Sequence, residues 1–549
     1  MCLKTQHIVE VEADIQTEVA SVQTSAVAES HSTDQERKLM QSWDDMVEKS
    51  LRNFGWMEFL QAVLVAVAMF FDAQQSFISI YTDNYPTWHC TNHTMCSSSS
   101  DICKIPKSSW SWDSHPSMTI ISHWSLECAS TFVTGLPQSS FFIGGLLGSS
   151  ILAALADSSV GRKNMLVLSC VLMSITSTLI IFSPNIWVYS ALKFLIGFWR
   201  SSIGTSVLVL LTENVSVEWR FSVGTVEYFT FTIGYMSLSG IAYATKSLSW
   251  RFLYLYTSLP ALLYSILAYL FINESPKWLL MHGRVKEAMR ILKGVSLPEN
   301  DANYLTSFKT KENVSFFQLY SSIVELFKRR WALTRMVATM VLGIGVGSVY
   351  FALALAVENM GFNIYLAVVF SALMEIPSCI VAYFLENFRR KPSIIVFSLL
   401  CGICCLLCVA IGDKAPEAKV GLAIVAFFGA CVAYFVFVIY IIELFPTCVR
   451  FTTTSLVRQA ITFGCIFCPF FISAGRKNNI YSYGVFGLVI MCSNLTLFGL
   501  PETMGIVLCD TMNQQEEKET YLSKPKTKQV AICEAMDLQE EKGDFFLLT

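Results

Sequence analysis

Charge is scarce in this chain. Only 15% of its 549 residues are Asp, Glu, Lys or Arg, the 39 basic and 42 acidic side chains leave a formal net charge of −3, and the seven histidines form no cluster. A nucleic-acid surface needs a concentrated basic field, and an acidic steering tail needs a run of like charge; neither is present. No CxxC pair recurs at zinc spacing, no GxxxxGK[ST] phosphate loop occurs and no catalytic set stands out, which argues against a zinc module, an ATP-driven pump and an enzyme. Residues 1–50 are polar and mixed in charge. They lack the basic and then apolar regions of a cleavable signal peptide, so the first apolar span is expected to act as the insertion signal.

What the chain has instead is apolar surface, 53% hydrophobic residues at a mean hydropathy of +0.50. That much apolar side chain in so long a chain exceeds what one soluble core can hold, so lipid must serve as solvent. Apolar runs long enough to cross a bilayer as helices begin at Trp56 and extend to about residue 80. They continue at roughly 134–156, 164–183, 186–211, 222–244 and 252–272, then at 337–357, 364–385, 393–411, 420–444, 453–473 and 482–500. The pattern predicts an all-α membrane protein of twelve spans in two six-helix bundles. Its divisions are a tail 1–53, a first bundle 54–273 with a large loop 81–131, a bridge 274–335, a second bundle 336–500 and a tail 501–549.

The bridge fixes the expected orientation. Lys277 to Arg335 holds eleven Lys/Arg against five Asp/Glu, and short basic loops stay cytoplasmic. Arg162, Lys163, Arg220, Arg389, Arg390, Lys391 and Arg450 fall in loops on the same side, whereas Arg476 and Lys477 fall on the other. Both termini are then cytoplasmic and the loop 81–131 faces outward. That loop carries Cys90, Cys96, Cys103 and Cys128, read as disulfide candidates in an oxidising compartment with three connectivities open, and the sequon at Asn92, read as a glycan site. Sequons at Asn214, Asn273, Asn313 and Asn494 lie on the wrong side or within a span. Two six-span halves joined by a long bridge are the layout of carriers whose bundles rock about a midplane site.

Short motifs in register carry a resemblance. Glu274-Ser275-Pro276-Lys277-Trp278-Leu279-Leu280 resembles the block that ends helix 6 in organic cation and carnitine transporters of the major facilitator superfamily. Glu213 after span four, Trp250-Arg251 before span six, Asn363-Ile364-Tyr365-Leu366 with Glu375-Ile376-Pro377 in span eight, Glu443-Leu444-Phe445-Pro446-Thr447 with Arg450 after span ten, and Pro501-Glu502-Thr503 after span twelve are similar to further elements of that family. The turns Asp157 to Lys163 and Glu386 to Lys391 resemble the superfamily's signature loop, once per half; Ala153 replaces its leading glycine, and an extra residue separates Asp157 from Gly161. The form Ala156-Asp157-Ser158-Ser159 is most similar to the plant-type branch. The resemblance implies a gate of acids and basic turns, with Asp157, Gly161, Arg162, Glu213, Arg220, Glu386, Arg389, Glu443 and Arg450 as its members.

Ionisable side chains inside spans are costly and are functional candidates by default. Glu375 lies ~16 Å and Arg200 ~21 Å along their helices at 1.5 Å per residue, near the middle of a ~30 Å core and in opposite halves. A zwitterion could bridge them, its cation on Glu375 and its carboxylate on Arg200, unless the two charges neutralise each other or other buried groups. Asp72 reads as lining the outer vestibule, and Glu227 and Arg458 as gate or anchor residues. The resemblance places Phe142, Tyr228, Phe231, Tyr350 and Tyr440 along the cavity, where aromatic faces would suit a quaternary ammonium. Cation transporters of this family often have an acid in helix 11 where this chain has Thr462.

The expected function is secondary active transport of small organic cations or carnitine-like zwitterions by alternating access, with no cofactor and with coupling to sodium, to protons or to the membrane potential left open. The partners are then the substrate and the bilayer, the unit is a functional monomer, and the site is the plasma or vacuolar membrane. A sugar or organic-anion carrier on the same scaffold is the nearest alternative; a channel or ligand-sensing receptor is the alternative of another class.

Overall fold

The computed structural model describes residues 51–516 apart from 53–54, 92–95, 97–101, 156–159, 282–283, 292–323, 325, 358–362, 386–387, 413, 477–478, 505–511 and 513. Nine helical stretches among the described residues are long and apolar enough to cross a membrane. They are Trp56–Thr82, Arg162–Phe182, Ile186–Glu213, Trp250–Phe271, Arg330–Leu355, Ile364–Phe384, Arg390–Ile411, Pro416–Leu444 and Thr452–Gly475. Helices Thr131–Leu155 and Arg220–Ala244 and the shorter stretch Tyr483–Gly499 complete twelve, numbered here as spans one to twelve in chain order. Leu, Ile and Phe side chains along spans such as six and nine stay exposed on the outer faces, as lipid-facing surface requires.

Small residues set the closest helix approach. In spans two and four, a Cβ added at Gly197 would lie 1.9 Å from the Phe141 carbonyl oxygen, so only glycine lets these backbones meet. Two spans are broken near mid-membrane. Span four is helix Ile186–Arg200, then Ser201 and Ser202, then helix Ile203–Glu213. Span eleven runs through the end of helix Thr447–Cys465, then Ile466 and Phe467, then helix Cys468–Gly475, with Pro469 in the first turn of its second piece.

The large loop carries a two-stranded antiparallel ribbon, β1 (Trp88–Cys90) with β2 (Trp110–Trp112), in which Trp88 pairs with Trp112 and Cys90 with Trp110. Disulfides join Cys90 to Cys96 and Cys103 to Cys128, selecting one of the three connectivities. Beside the ribbon, hydrogen bonds from Thr87 and His89 hold the Asp113 carboxyl below its ordinary range. Asn92 lies outside the described residues. The face bearing this loop is the loop end of the molecule, and the face bearing the segment after span six is the bridge end.

Candidate functional site

Two carboxylates sit near the middle of their spans, each in a different setting. Asp72 of span one, 1% exposed, receives Nε and one terminal nitrogen of Arg200 at 2.6 Å each. This fork-to-carboxylate geometry is the strongest form of ion pair. The guanidinium also lies 5.3 Å from the centre of the Phe141 ring. Arg200 is therefore committed to a partner in its own bundle, which replaces the expected Glu375–Arg200 bridge. Asp72 is correspondingly an internal counter-ion and does not line a vestibule.

Glu375 of span eight is 2% exposed and has no ion-pair partner among the described residues. One oxygen accepts from the Tyr350 hydroxyl of span seven at 2.8 Å, and the other from the Thr232 hydroxyl of span five at 2.7 Å. Thr232 belongs to the first bundle, so this carboxylate is held from both halves. Tyr350 stacks on Tyr434 at 4.9 Å and on Phe427 at 5.8 Å, and Tyr434 meets Phe435 at 6.1 Å. Tyr228, across the interface, meets Phe435 edge-on at 5.2 Å, and Phe142 meets Phe351 at 6.2 Å. Phe231 packs on Phe77 within the first bundle. Tyr440 departs from its expected place: it is fully buried, and its hydroxyl donates to the Pro501 carbonyl at 2.6 Å, which ties span ten to the segment after span twelve.

At the bridge end the expected acids Asp157 and Glu386 lie outside the described residues, and other carboxylates hold the basic turns. Glu274 accepts from the Lys163 backbone N–H at 3.0 and 3.2 Å. Gly161, at φ +87°, begins that helix, and a Cβ there would lie 2.4 Å from the Glu274 carboxylate. The Ser275 hydroxyl accepts from Trp278 N–H at 3.2 Å and Pro276 opens the short helix Pro276–Met281, so the Glu-Ser-Pro order turns Glu274 back toward span three. In the other half Glu502 does the same for span nine, accepting from Arg390 N–H at 2.9 Å and Lys391 N–H at 3.2 Å. Arg390 also forks onto Glu443 at 2.9 and 3.2 Å, and the Thr503 hydroxyl donates to Glu443 at 2.7 Å. Both carboxylates sit where a helix N-terminus attracts negative charge. Arg389 is exposed, Arg162 is half-buried, Glu213 keeps one buried oxygen and Arg450 two buried nitrogens without a hydrogen bond, and Arg220 begins span five.

The halves meet mainly at the loop end. Thr134 and Ser473 share a 2.6 Å hydrogen bond, Ser139 donates to the Ile466 carbonyl at 2.8 Å, and Ser239 donates to the Tyr365 carbonyl at 2.8 Å. Tyr81 stacks on Tyr365 at 5.5 Å. Arg476, the cation on the unexpected side, reaches the Asp83 carbonyl at 3.3 Å and lies over the Tyr85 ring at 5.7 Å, both in the first half. Its position answers to an interface rather than to the positive-inside bias. Nearer the bridge end, Gln459 donates to Ser150 at 2.8 Å.

Several of these groups were not singled out by sequence reasoning. Thr232, Tyr434, Glu502 as a helix cap and the Asp83, Tyr189 and Tyr254 set around Lys193 are the main ones. Asp83 accepts from Tyr189 at 2.7 Å, and the Lys193 ammonium lies among the rings of Phe141, Tyr189 and Tyr254 at 5.5 to 5.8 Å. The matching acids after spans six and twelve, Glu274 and Glu502, were the available signal for the paired caps.

Comparison with known proteins covers nearly the whole membrane region. A family model described as "Sugar (and other) transporter" matches residues 54–513. Organic cation/carnitine transporter 3 of Arabidopsis thaliana is 45% identical over 486 residues, covering 87% of this chain and 94% of that protein. Organic cation/carnitine transporter 2 of Mus musculus is 31% identical over 413 residues, 74% and 73% respectively. Among solved structures, the inward open xylose transporter XylE from E. coli superposes with a TM-score of 0.58 at 16% identity, covering 81% of this chain and 96% of that one.

Proposed function

This chain belongs to the organic cation/carnitine transporter family of the major facilitator superfamily, and on that premise we propose that it carries small organic cations or carnitine-like zwitterions across a membrane by alternating access. It is a transporter and not an enzyme. The observation that carries the substrate class is Glu375: a buried carboxylate without an ion-pair partner, held by hydroxyls from both halves and flanked by the Tyr350–Tyr434 stack. A carboxylate and an aromatic face together are what a quaternary ammonium needs, since it has no hydrogen to donate. The placement of Glu375 also suits rocking. When the halves separate, Thr232 leaves, and a cation arriving at that oxygen replaces the hydrogen bond lost.

The disulfide-bonded loop end faces an oxidising compartment, extracellular or vacuolar, with both termini cytoplasmic and a glycan on Asn92. The working unit is a monomer, and sodium or protons supply the coupling. The test is a radiolabelled uptake panel of tetraethylammonium, carnitine, a hexose and an organic anion in proteoliposomes, with sodium, proton and potential gradients imposed one at a time. Saturable uptake and counterflow of the cation or carnitine are expected. Counterflow of the hexose alone would overturn the substrate class, and flux without counterflow would favour a channel.

A further inference from the structure

Among the described residues, intramembrane charges differ in how they are satisfied, Lys193 by the rings around it. Asp72, Arg200 and Glu375 have their hydrogen-bonding groups taken up by other side chains. Glu227 and Arg458 do not. Glu227 in span five is 7% exposed and makes no side-chain hydrogen bond or ion pair among the described residues, an expensive condition for a carboxylate. Arg458 is exposed although it lies within the membrane-spanning stretch Thr452–Gly475, and it too has no side-chain bond among the described residues.

The two belong to opposite halves and face one space. Arg458 is close enough to Glu227, Tyr228 and Tyr434 to act on all three electrostatically, without a direct ion pair to Glu227. Its face of span eleven looks at the first bundle and not at lipid. Thr462, one turn along, lies 3.7 Å from where a Cβ on Gly145 of span two would sit, and neighbouring Gln459 bonds Ser150 of the same span. Tyr228, next to Glu227 in the chain, begins an aromatic wall that runs through Phe435 and Tyr434 to Tyr350.

We infer that Glu227 and Arg458 are the two poles of a zwitterion entry site, the carboxylate with Tyr228 holding a quaternary ammonium before Thr232 frees Glu375 to receive it, and the guanidinium taking the ligand's carboxylate. The inference rests on the transporter reading above and assigns the zwitterion role that Arg200, tied to Asp72, cannot fill. A free guanidinium fits a carboxylate as a two-point fork, which a simple cation lacks. A simple cation held at Glu227 meets an uncompensated positive charge, so Arg458 both attracts the zwitterion and repels its competitor.

The experiment uses the full-length protein in proteoliposomes with carnitine and tetraethylammonium as probes. In Arg458→Gln the KM for carnitine should rise by about tenfold or more while that for tetraethylammonium stays level or falls. Glu227→Gln should weaken both, and Arg458→Lys should keep part of the carnitine preference. To separate folding from binding, Arg458→Cys is reacted with a positively charged and with a neutral thiol reagent; only the charged adduct should restore carnitine uptake. An unchanged carnitine-to-tetraethylammonium ratio in reconstituted Arg458→Gln, or equal rescue by the neutral reagent, overturns the site while leaving the transporter reading intact. Failure of the unsubstituted protein to move either probe overturns the substrate class, and this site with it.

Discussion

The two bundles hold a carboxylate near mid-membrane in opposite ways. In the first, Asp72 is neutralised by Arg200 from the same bundle, through two 2.6 Å contacts that need no help from the other half. In the second, Glu375 has no cation beside it among the described residues and depends on hydroxyls, one of them from Thr232 across the interface. A pair closed within a rigid bundle moves with it and is insensitive to rocking. A carboxylate held across the interface changes its surroundings whenever the halves move, so it can respond to substrate.

Breaking the closed pair should have the largest effect. Asp72→Asn leaves the partly buried Arg200 guanidinium without its counter-ion, a loss approaching the roughly 3 to 5 kcal/mol of a fully buried pair. The measurable outcome is a collapse in membrane abundance and detergent thermostability, with Asp72→Asn/Arg200→Gln more stable than the single change. If the single variant is as stable as the parent, the pair is not structural.

Glu375→Gln should give the contrasting phenotype. A glutamine still offers Tyr350 or Thr232 an acceptor, so abundance is expected to hold, while loss of a charged contact of about 1.5 to 3 kcal/mol should cut cation uptake at least tenfold. Loss of protein in step with uptake would place Glu375 in the same class as Asp72.

The bridge-end caps permit a finer comparison. Glu274→Gln and Glu502→Gln each remove a negative charge from a helix N-terminus, worth about 0.3 to 2 kcal/mol. Glu502 adjoins the Arg390–Glu443–Thr503 network, so its loss should shift thermostability and reduce transport more than loss of Glu274. Equal shifts would mean that the network adds nothing to the cap.

The smallest effect is expected at the loop end. Arg476→Gln removes a cation–ring contact and a bond to a carbonyl, about 0.5 to 1 kcal/mol in all, equivalent to a few-fold change in population. A cysteine introduced at Ser473 should then react a few-fold faster with a membrane-impermeant thiol reagent applied from the loop side. An unchanged rate would make Arg476 a surface anchor and not a latch.

The legible part of this molecule was its covalent order. Apolar run length located the twelve helices, but the acids expected to hold the basic turns were Asp157 and Glu386, and the capping roles of Glu274 and Glu502 appeared only in the structure. Position along a helix also placed Glu375 and Arg200 correctly near mid-span, but depth carries no information about azimuth. Two charges at matching depth in opposite halves read as the two poles for one zwitterion, whereas the rotation of span four turned Arg200 toward Asp72. The same blindness made Tyr440 look like cavity lining when its hydroxyl meets Pro501.

Composition and order alone were enough for a membrane protein of two six-span halves with a basic bridge, because the bilayer imposes length, hydropathy and charge asymmetry along the chain itself, while the family rested on short motifs in register. Which charges are satisfied and which are left for a ligand was decided only by packing. That choice depends on helix rotation and on groups hundreds of residues apart meeting within 3 Å: Asp72 with Arg200, Thr232 with Glu375, and neither Glu227 nor Arg458 with any partner among the described residues.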